Sequence, residues 1–200
     1  TNQVSSRNLV CRKLPSHDWY RRTHSHIGRE HQTGRNTISL KEASITQYQA
    51  ALSMLRQAFV LCPDSLWDAP DPPNRFWQLA YHTLFYAHLY LQPSLDKIAP
   101  WPEHREGYER LGHASSPTLP DSETLSKEAV LRYLDFCLEQ VVIQVNAMDC
   151  EAESGFHWLP FNKQELQFYN VRHIQQHTGE LCERLGTRAG IEVDWVGKGS

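Results

Sequence analysis

Four stretches of this chain carry apolar residues at intervals of three and four positions, and this spacing constrains the fold most. Such an interval places side chains on one face of an α-helix, whereas a half-buried strand shows alternation. The first stretch begins near residue 38, and its apolar positions are Ile45, Tyr48, Leu52, Leu55 and Phe59. Ser39 and Glu42 have the spacing of a capping box at a helix start, and Pro63 stops a helix. We therefore predict a helix from about Ser39 to just before Pro63.

The second stretch differs from the others because it is apolar on nearly every side. Asn74, a good N-cap residue, is its predicted start, and it runs to about Leu91, before Pro93. Its aromatic residues are Phe76, Trp77, Tyr81, Phe85, Tyr86 and Tyr90. A helix without a polar face is normally covered all round. We expect a central helix whose aromatic side chains form core rather than a cofactor stack.

The third and fourth stretches complete the set of long helices. The third is predicted to begin at Ser122 or Ser126, with the stronger start signal at Ser122, and to end near Met148. The fourth is predicted over 163–185 and is stopped by Gly186. The tail that follows alternates in polarity, which predicts a short extended segment over 191–196 that is docked by Trp195.

The segments between these helices are rich in proline or polar residues. Residues 64–74 carry three prolines and are predicted to be a loop. The connector over 93–120 is longer than most loops, so it either carries a short helix at about 103–111 or covers a site. Residues 1–37 are polar and lack apolar periodicity, and we interpret them as an irregular extension whose His24 and His26 are solvated. The prediction is an all-α, antiparallel four-helix bundle over 38–200 behind an extension over 1–37.

Charge and cysteine content narrow the classes of function. The chain has 200 residues, a net charge of -3 and a sequence pI near 6.4, so a strongly basic surface for nucleic acid or anionic lipid is not expected. No apolar run reaches the roughly 20 residues of a membrane span, and the first residues lack a signal-peptide core. The five cysteines are widely spaced without a CxxC pair, which favours reduced thiols and a cytoplasmic location.

Three histidines carry the strongest chemical signal. His173 and His177 lie four residues apart on the predicted fourth helix, so both can reach one ion from the same face. His82 on the second helix supplies a third imidazole if these two helices pack together. Three imidazoles leave a coordination position open, as in catalytic zinc sites. His88 competes for the third position from another part of the helix surface, and packed or solvated histidines are the simpler alternative.

Two segments resemble a known family. Residues 165–181, which contain both helix-four histidines, look like the last helix of the DinB-like (DNA-damage-inducible) metal-binding four-helix bundles. Residues 79–91 look like the second helix of that family, and residues 195–198 are similar to its C-terminal endings. The resemblance covers roughly 38–198, but residues 1–37 have no counterpart and the 93–120 connector departs from the compact family pattern. It implies that His82, His173 and His177 bind a divalent metal. Members of the family often form dimers, which suggests a homodimer for this chain.

The resemblance also suggests what the metal does. For the ion itself we expect zinc or nickel, with iron and manganese as the next choices, because imidazole suits several divalent ions. Relatives of this fold are thiol-dependent transferases and isomerases, so we expect a small-molecule substrate and a low-molecular-weight thiol. A metal-dependent hydrolase is the alternative within enzymes. A non-catalytic interaction module, stapled by its metal, is the alternative outside them.

Four further residues are weaker candidates for a role at this site. Glu180 lies three positions after His177 and could face the metal, or it could simply be solvated. Glu165 and Tyr169 lie eight and four positions before His173, so they share its face as ligand partners, pocket lining or ordinary surface and core. His157, in the loop before the fourth helix, could act as an acid or base.

Overall fold

The computed structural model describes residues 38–70, 73–112 and 123–199, so the predicted extension over 1–37 and part of the connector lie outside the described residues. The described chain is all-α, as predicted. Its helices are α1 (Leu40–Leu61), α2 (Asp64–Trp67), α3 (Phe76–Leu91), α4 (Lys127–Ala147) and α5 (Lys163–Ala189), with a 3₁₀ turn at Leu95–Lys97. Instead of a strand, the described residues contain a single isolated bridge between Glu153 and Asn162.

The start and end of α1 are confirmed. Ser39 is the N-cap, and its hydroxyl accepts a hydrogen bond from the Glu42 N–H at 3.1 Å. The Glu42 carboxylate accepts in return from the Ser39 N–H at 3.0 Å, which completes the capping box. The helix stops at Leu61 because the chain turns extended before Pro63.

The prediction that 64–74 is entirely loop was wrong, because the short helix α2 occupies its first four residues. Helix α2 brings Trp67 into the core. The Trp67 ring is buried there, and its indole N–H donates to the Leu125 carbonyl at 2.8 Å. The predicted N-cap of α3 was also one residue early. Arg75 occupies that position, and its N–H donates to the Gln78 side chain. Asn74 instead holds Gly112, as its side chain accepts from the Gly112 N–H at 2.7 Å and donates to the Gly112 carbonyl at 3.3 Å.

The predicted short helix at 103–111 does not form, and the chain there makes a series of turns. This segment, which we call the strap (residues 95–112), is fastened to the neighbouring helices. Arg132 on α4 donates to both carboxylate oxygens of Glu103, at 2.9 and 2.7 Å. The Asn74 clamp on Gly112 fixes the other end of the strap. These contacts hold the strap to α4 and to the residue that precedes the N-cap of α3.

Helix α4 begins at the second of its two predicted starts, whereas α5 extends beyond its predicted end at Gly186. The weaker start signal, Ser126, caps α4, and its hydroxyl accepts from the Ala129 N–H. Helix α5 passes through Gly186 and ends at Ala189, because the left-handed conformation that terminates it is adopted by Gly190 at φ 67°. The tail forms no strand, and Trp195, predicted to dock it, is 74% exposed.

Helix α3 is covered on nearly all sides, as its all-round apolar sequence predicts, but it is not central to the other helices. It packs on α4 and α5, and α1 packs on the same two helices. Nearly every residue of α3 is buried, including Trp77, Tyr81 and Leu84. No helix among the described residues is both long and apolar enough to cross a bilayer. The packing of α3 on α5 positions the candidate site.

Candidate metal centre

The contact between α3 and α5 brings the three predicted histidines together. One nitrogen from each of His82, His173 and His177 lies within 4.8 Å of the other two. The closest pair is Nε2 of His82 and Nε2 of His173, 3.4 Å apart. The group combines a ligand from α3 with an i, i+4 pair from α5, so it exists only when these helices are packed.

The spacing of this group fits one divalent ion. Zinc–nitrogen bonds of about 2.0–2.1 Å at tetrahedral angles place ligand nitrogens roughly 3.3–3.4 Å apart, close to the His82–His173 distance. The ring centroids are separated by 5.3 Å (His82–His173), 4.9 Å (His82–His177) and 4.6 Å (His173–His177). The nitrogen of His177 lies within 4.8 Å of the other two. Three imidazoles would then leave a fourth position for a small ligand.

The backbone of the strap fixes the tautomer of His82. The carbonyl of Glu109 lies 2.6 Å from Nδ1 of His82, and a carbonyl can only accept. Nδ1 therefore carries the proton and Nε2 keeps its lone pair directed at His173. Histidines that bind metals are commonly oriented by such a hydrogen bond from the other ring nitrogen.

All three rings are neutral at physiological pH. Burial lowers the pKa of His82 to about 4, and burial together with the neighbouring histidines lowers the pKa of His173 to about 3. Burial also lowers the pKa of His177, although the nearby Glu180 carboxylate opposes this effect. Metal ligation requires unprotonated imidazole nitrogens, so the low pKa values suit a ligand set.

Two ring nitrogens in the group have no hydrogen-bond partner. Nδ1 of His173 and Nδ1 of His177 are both buried and unpaired. An oxygen of Glu180 lies 3.3 Å from His177 Nδ1, near enough for electrostatic attraction but not aligned for a hydrogen bond. With Nε2 of each ring facing the ion, these Nδ1 atoms would lie on the outer side of the site, where a hydrogen-bonding group would orient the ring.

The competing histidine and the loop histidine lie elsewhere. His88 is buried against Tyr133 and Phe136 of α4, and its Nδ1 lies 3.3 Å from the Tyr133 hydroxyl. It is not part of the histidine group. His157 is exposed, and its ring packs on Trp158 with centroids 4.7 Å apart.

The remaining candidates occupy different positions along α5. Glu165 is exposed in the first turn, where its N–H is capped by the Asn162 side chain. Tyr169 packs on Tyr90 and Phe161, with ring centroids 5.6 Å away in each case. Of the four weaker candidates, Glu180 is the one in contact with a histidine of the group. The roles proposed for these residues stay predictions.

Two residues near the histidines were missed by sequence reasoning. The Tyr86 ring centroid lies 4.7 Å from that of His82 and 5.7 Å from that of His173. Its position four residues after His82 could have revealed this. Glu109 has an Oε2 atom that is buried and unpaired, while Oε1 lies 3.5 Å from Nε of Arg110. No periodicity marks Glu109, because it lies on the irregular strap.

Comparison of the chain with family models, with curated proteins and with solved structures gives no match.

Proposed function

We propose that this protein is a DinB-like, antiparallel four-helix bundle that binds a divalent metal and uses it to activate a low-molecular-weight thiol for transfer to a small electrophile. The bundle is supported by the packing of α1 and α3 on both α4 and α5. The metal is supported by the group of His82, His173 and His177. Zinc and nickel are the first choices for a three-imidazole site, followed by iron and manganese.

One observation carries the proposal. Two neutral imidazoles from different helices direct Nε2 atoms at each other across 3.4 Å, and one of them has its tautomer fixed by a backbone carbonyl. A third imidazole lies beside both. A hydrogen bond between the two Nε2 atoms would account for that one pair, whereas a single ion accounts for the convergence of all three imidazoles.

The surroundings supply what such a site needs. When bound, the ion would lower the pKa of a thiol or water ligand and stabilise developing negative charge. The Glu109 carbonyl orients His82. Burial and the neighbouring Glu109 charge raise the pKa of Tyr86, so its phenol stays protonated and can donate a hydrogen bond beside the site.

The first test is metal content by elemental analysis of untagged protein. Wild type, His173→Ala and the control His157→Ala are compared before and after incubation with zinc, nickel, manganese and iron. We expect near-stoichiometric metal in wild type and His157→Ala, and loss of the metal in His173→Ala. Absence of metal from wild type after every incubation, or full retention in His173→Ala, would refute the site.

The reaction is tested separately on the metal-loaded protein. We expect conjugation of an electrophile with glutathione, mycothiol or bacillithiol, and loss of this turnover in His173→Ala. Turnover that needs metal but no thiol would replace the transferase with a hydrolase. A protein that binds metal, gains stability from it and turns over none of these substrates would be the non-catalytic module.

A further inference from the structure

An apolar groove of about 360 Å³ lies between α1 and α5. Leu40 and Ala43 of α1 and Phe168 and Val171 of α5 supply its apolar lining. Leu40 is 61% exposed and Phe168 is 58% exposed. Large apolar side chains that are exposed together mark an interaction surface more often than single ones do. None of the lining residues belongs to the histidine group, so the groove is separate from the metal centre.

The exposed edge of α5 beside the groove carries an acid, an aromatic residue and a base in that order. Glu165, Phe168 and Arg172 lie three and four positions apart, so they share one face of the helix. The two charged side chains are about 10 Å apart along the axis, too far to pair with each other. Among the described residues neither of them belongs to an ion pair. Both charges are therefore free to meet a partner.

This order of charges matches itself under a two-fold rotation. A two-fold axis beside Phe168, which lies close to the midpoint between positions 165 and 172, makes the α5 helices of two copies antiparallel. Glu165 of each copy then lies opposite Arg172 of the other, and the two Phe168 side chains meet near the axis. An interface between identical copies related by a two-fold axis requires a patch that is complementary to itself in this way.

The face made by α1 and α5 is large enough for such an interface. These helices pack side by side, and the 22 residues of α1 make it about 33 Å long. Two helices, each about 10 Å wide, give a face of roughly 650 Å² per copy. The total of roughly 1,300 Å² exceeds the approximately 1,000 Å² that a specific interface needs.

We propose that this groove is the interface of a homodimer, in which α5 of a second copy lies antiparallel along it. The exposed apolar side chains favour a protein partner, and the order of charges on α5 selects another copy of this chain. The proposal assigns a surface and an orientation to the dimer, neither of which the sequence resemblance specifies. It depends on no metal, so it stands apart from the proposed function.

The first test is sedimentation equilibrium of the full-length protein from about 1 to about 100 μM, since interfaces of this size give micromolar or tighter dimers. We expect a reversible monomer–dimer equilibrium. Phe168→Asp should weaken it at least about 10-fold, because the symmetric interface buries the new charge twice. Ile143→Asp is the control, at a similarly exposed position (56%) on α4, and should leave the equilibrium unchanged. A wild-type monomer over the whole range, or a dimer unaffected by Phe168→Asp, would overturn the proposal.

A charge swap tests the antiparallel orientation. Glu165→Arg and Arg172→Glu each place like charges opposite one another and should each weaken the dimer about 10-fold. The double variant restores opposite charges across the interface and should return the Kd to within about 3-fold of wild type. The swap cannot act within one copy, because the two positions are too far apart to pair. A double variant no tighter than the single variants would refute this interface.

Two controls separate loss of the dimer from other failures. All three substituted side chains are exposed, so far-UV circular dichroism of the variants should match that of wild type. Metal content should also be unchanged in Phe168→Asp. A protein that dimerises through this face but binds no metal would retain the interface and lose the proposed function, and a monomer that binds metal would do the reverse.

Discussion

Two histidines on α3, six residues apart, show how different two environments on one helix can be. Burial is the main cause that lowers the pKa of both His82 and His88 to about 4. His82 faces α5, where His173 and His177 meet it and the Glu109 carbonyl holds its Nδ1. His88 faces α4, where it is enclosed by Tyr133 and Phe136.

This comparison shows that burial and a low pKa do not distinguish a ligand from a core histidine. The distinguishing feature is convergence, since the ligand set needs nitrogens supplied by a second helix. Helix α5 carries an i, i+4 histidine pair toward α3, whereas the residues of α4 around His88 are aromatic. The side of α3 that faces α5 should therefore respond to metal, and the side that faces α4 should respond to pH.

The largest expected effect is stabilisation of the α5 face by metal. A ligand at 1,000 times its Kd stabilises the native state by about 4 kcal/mol, which for this chain length corresponds to a Tm increase of roughly 8–16 °C. We expect this shift in wild type and in His88→Phe, but not in His82→Ala. Differential scanning calorimetry with and without zinc or nickel measures it. A full shift in His82→Ala would remove the distinction between the two histidines.

The next effect concerns the α4 face and requires metal-free protein. The pKa of His88 is about 4 in the folded state against about 6.5 in the unfolded chain, so the folded state binds fewer protons between these values. The contribution of His88 to the unfolding free energy is thus fully present above pH 6.5 and is lost as the pH drops toward 4. For this group the loss from pH 8 to pH 5 is about 2 kcal/mol.

Urea denaturation of wild type and His88→Phe at both pH values isolates that contribution. When the pH falls from 8 to 5, we expect the unfolding free energy of wild type to decrease by about 2 kcal/mol more than that of His88→Phe. Parallel pH profiles for the two proteins would mean that His88 is not held neutral in the folded state.

Sequence reasoning could find the helices and the histidine pair on α5, but not the helix contact that brings His82 to that pair. Apolar spacing predicted the four long helices, because a helix face repeats every three to four residues. The pair His173 and His177 was visible for the same reason. That α3 packs on α5, so that His82 joins them, is a tertiary contact that spacing cannot give.

The errors have separate local causes. Asn74 was predicted as an N-cap, but its side chain is used by Gly112 across the fold. Gly186 was predicted to end α5, although glycine within a helix is tolerated and the left-handed cap is supplied by Gly190. Glu109 lies on the irregular strap, for which sequence carries no periodic signal.

The strap itself offers a test of how His82 is held. Asn74→Ala removes both hydrogen bonds to Gly112, and we expect it to cost about 1–3 kcal/mol of unfolding free energy because the Gly112 N–H loses its partner. Metal affinity should fall about 10-fold, since the strap carries the Glu109 carbonyl that orients His82. Asn146→Ala, at an exposed position, is the control. Normal affinity in a destabilised Asn74→Ala protein would show that His82 is held without the strap.

The smallest expected effect is that of Glu180 on His177. Its carboxylate lies 3.3 Å from Nδ1, is 43% exposed and is not aligned for a hydrogen bond, so Glu180→Gln should reduce metal affinity by less than about 10-fold, below the range for groups that orient a ligand through a hydrogen bond. Glu165→Gln removes the same charge from an exposed position on the same helix and should leave affinity unchanged. Chelator competition measures both.

Salt then separates two origins of the Glu180 effect. If the carboxylate acts by attracting the cation across solvent, the difference between Glu180→Gln and wild type should shrink at 1 M salt, where screening reaches about 3 Å. If Glu180 instead rotates into alignment with His177 Nδ1 when the metal binds, the contact is short and partly shielded, and the difference should persist. A difference that persists at high salt would extend the comparison with His88. Both ring nitrogens of His177 would then have partners, the metal and Glu180, whereas Nε2 of His88 has none among the described residues.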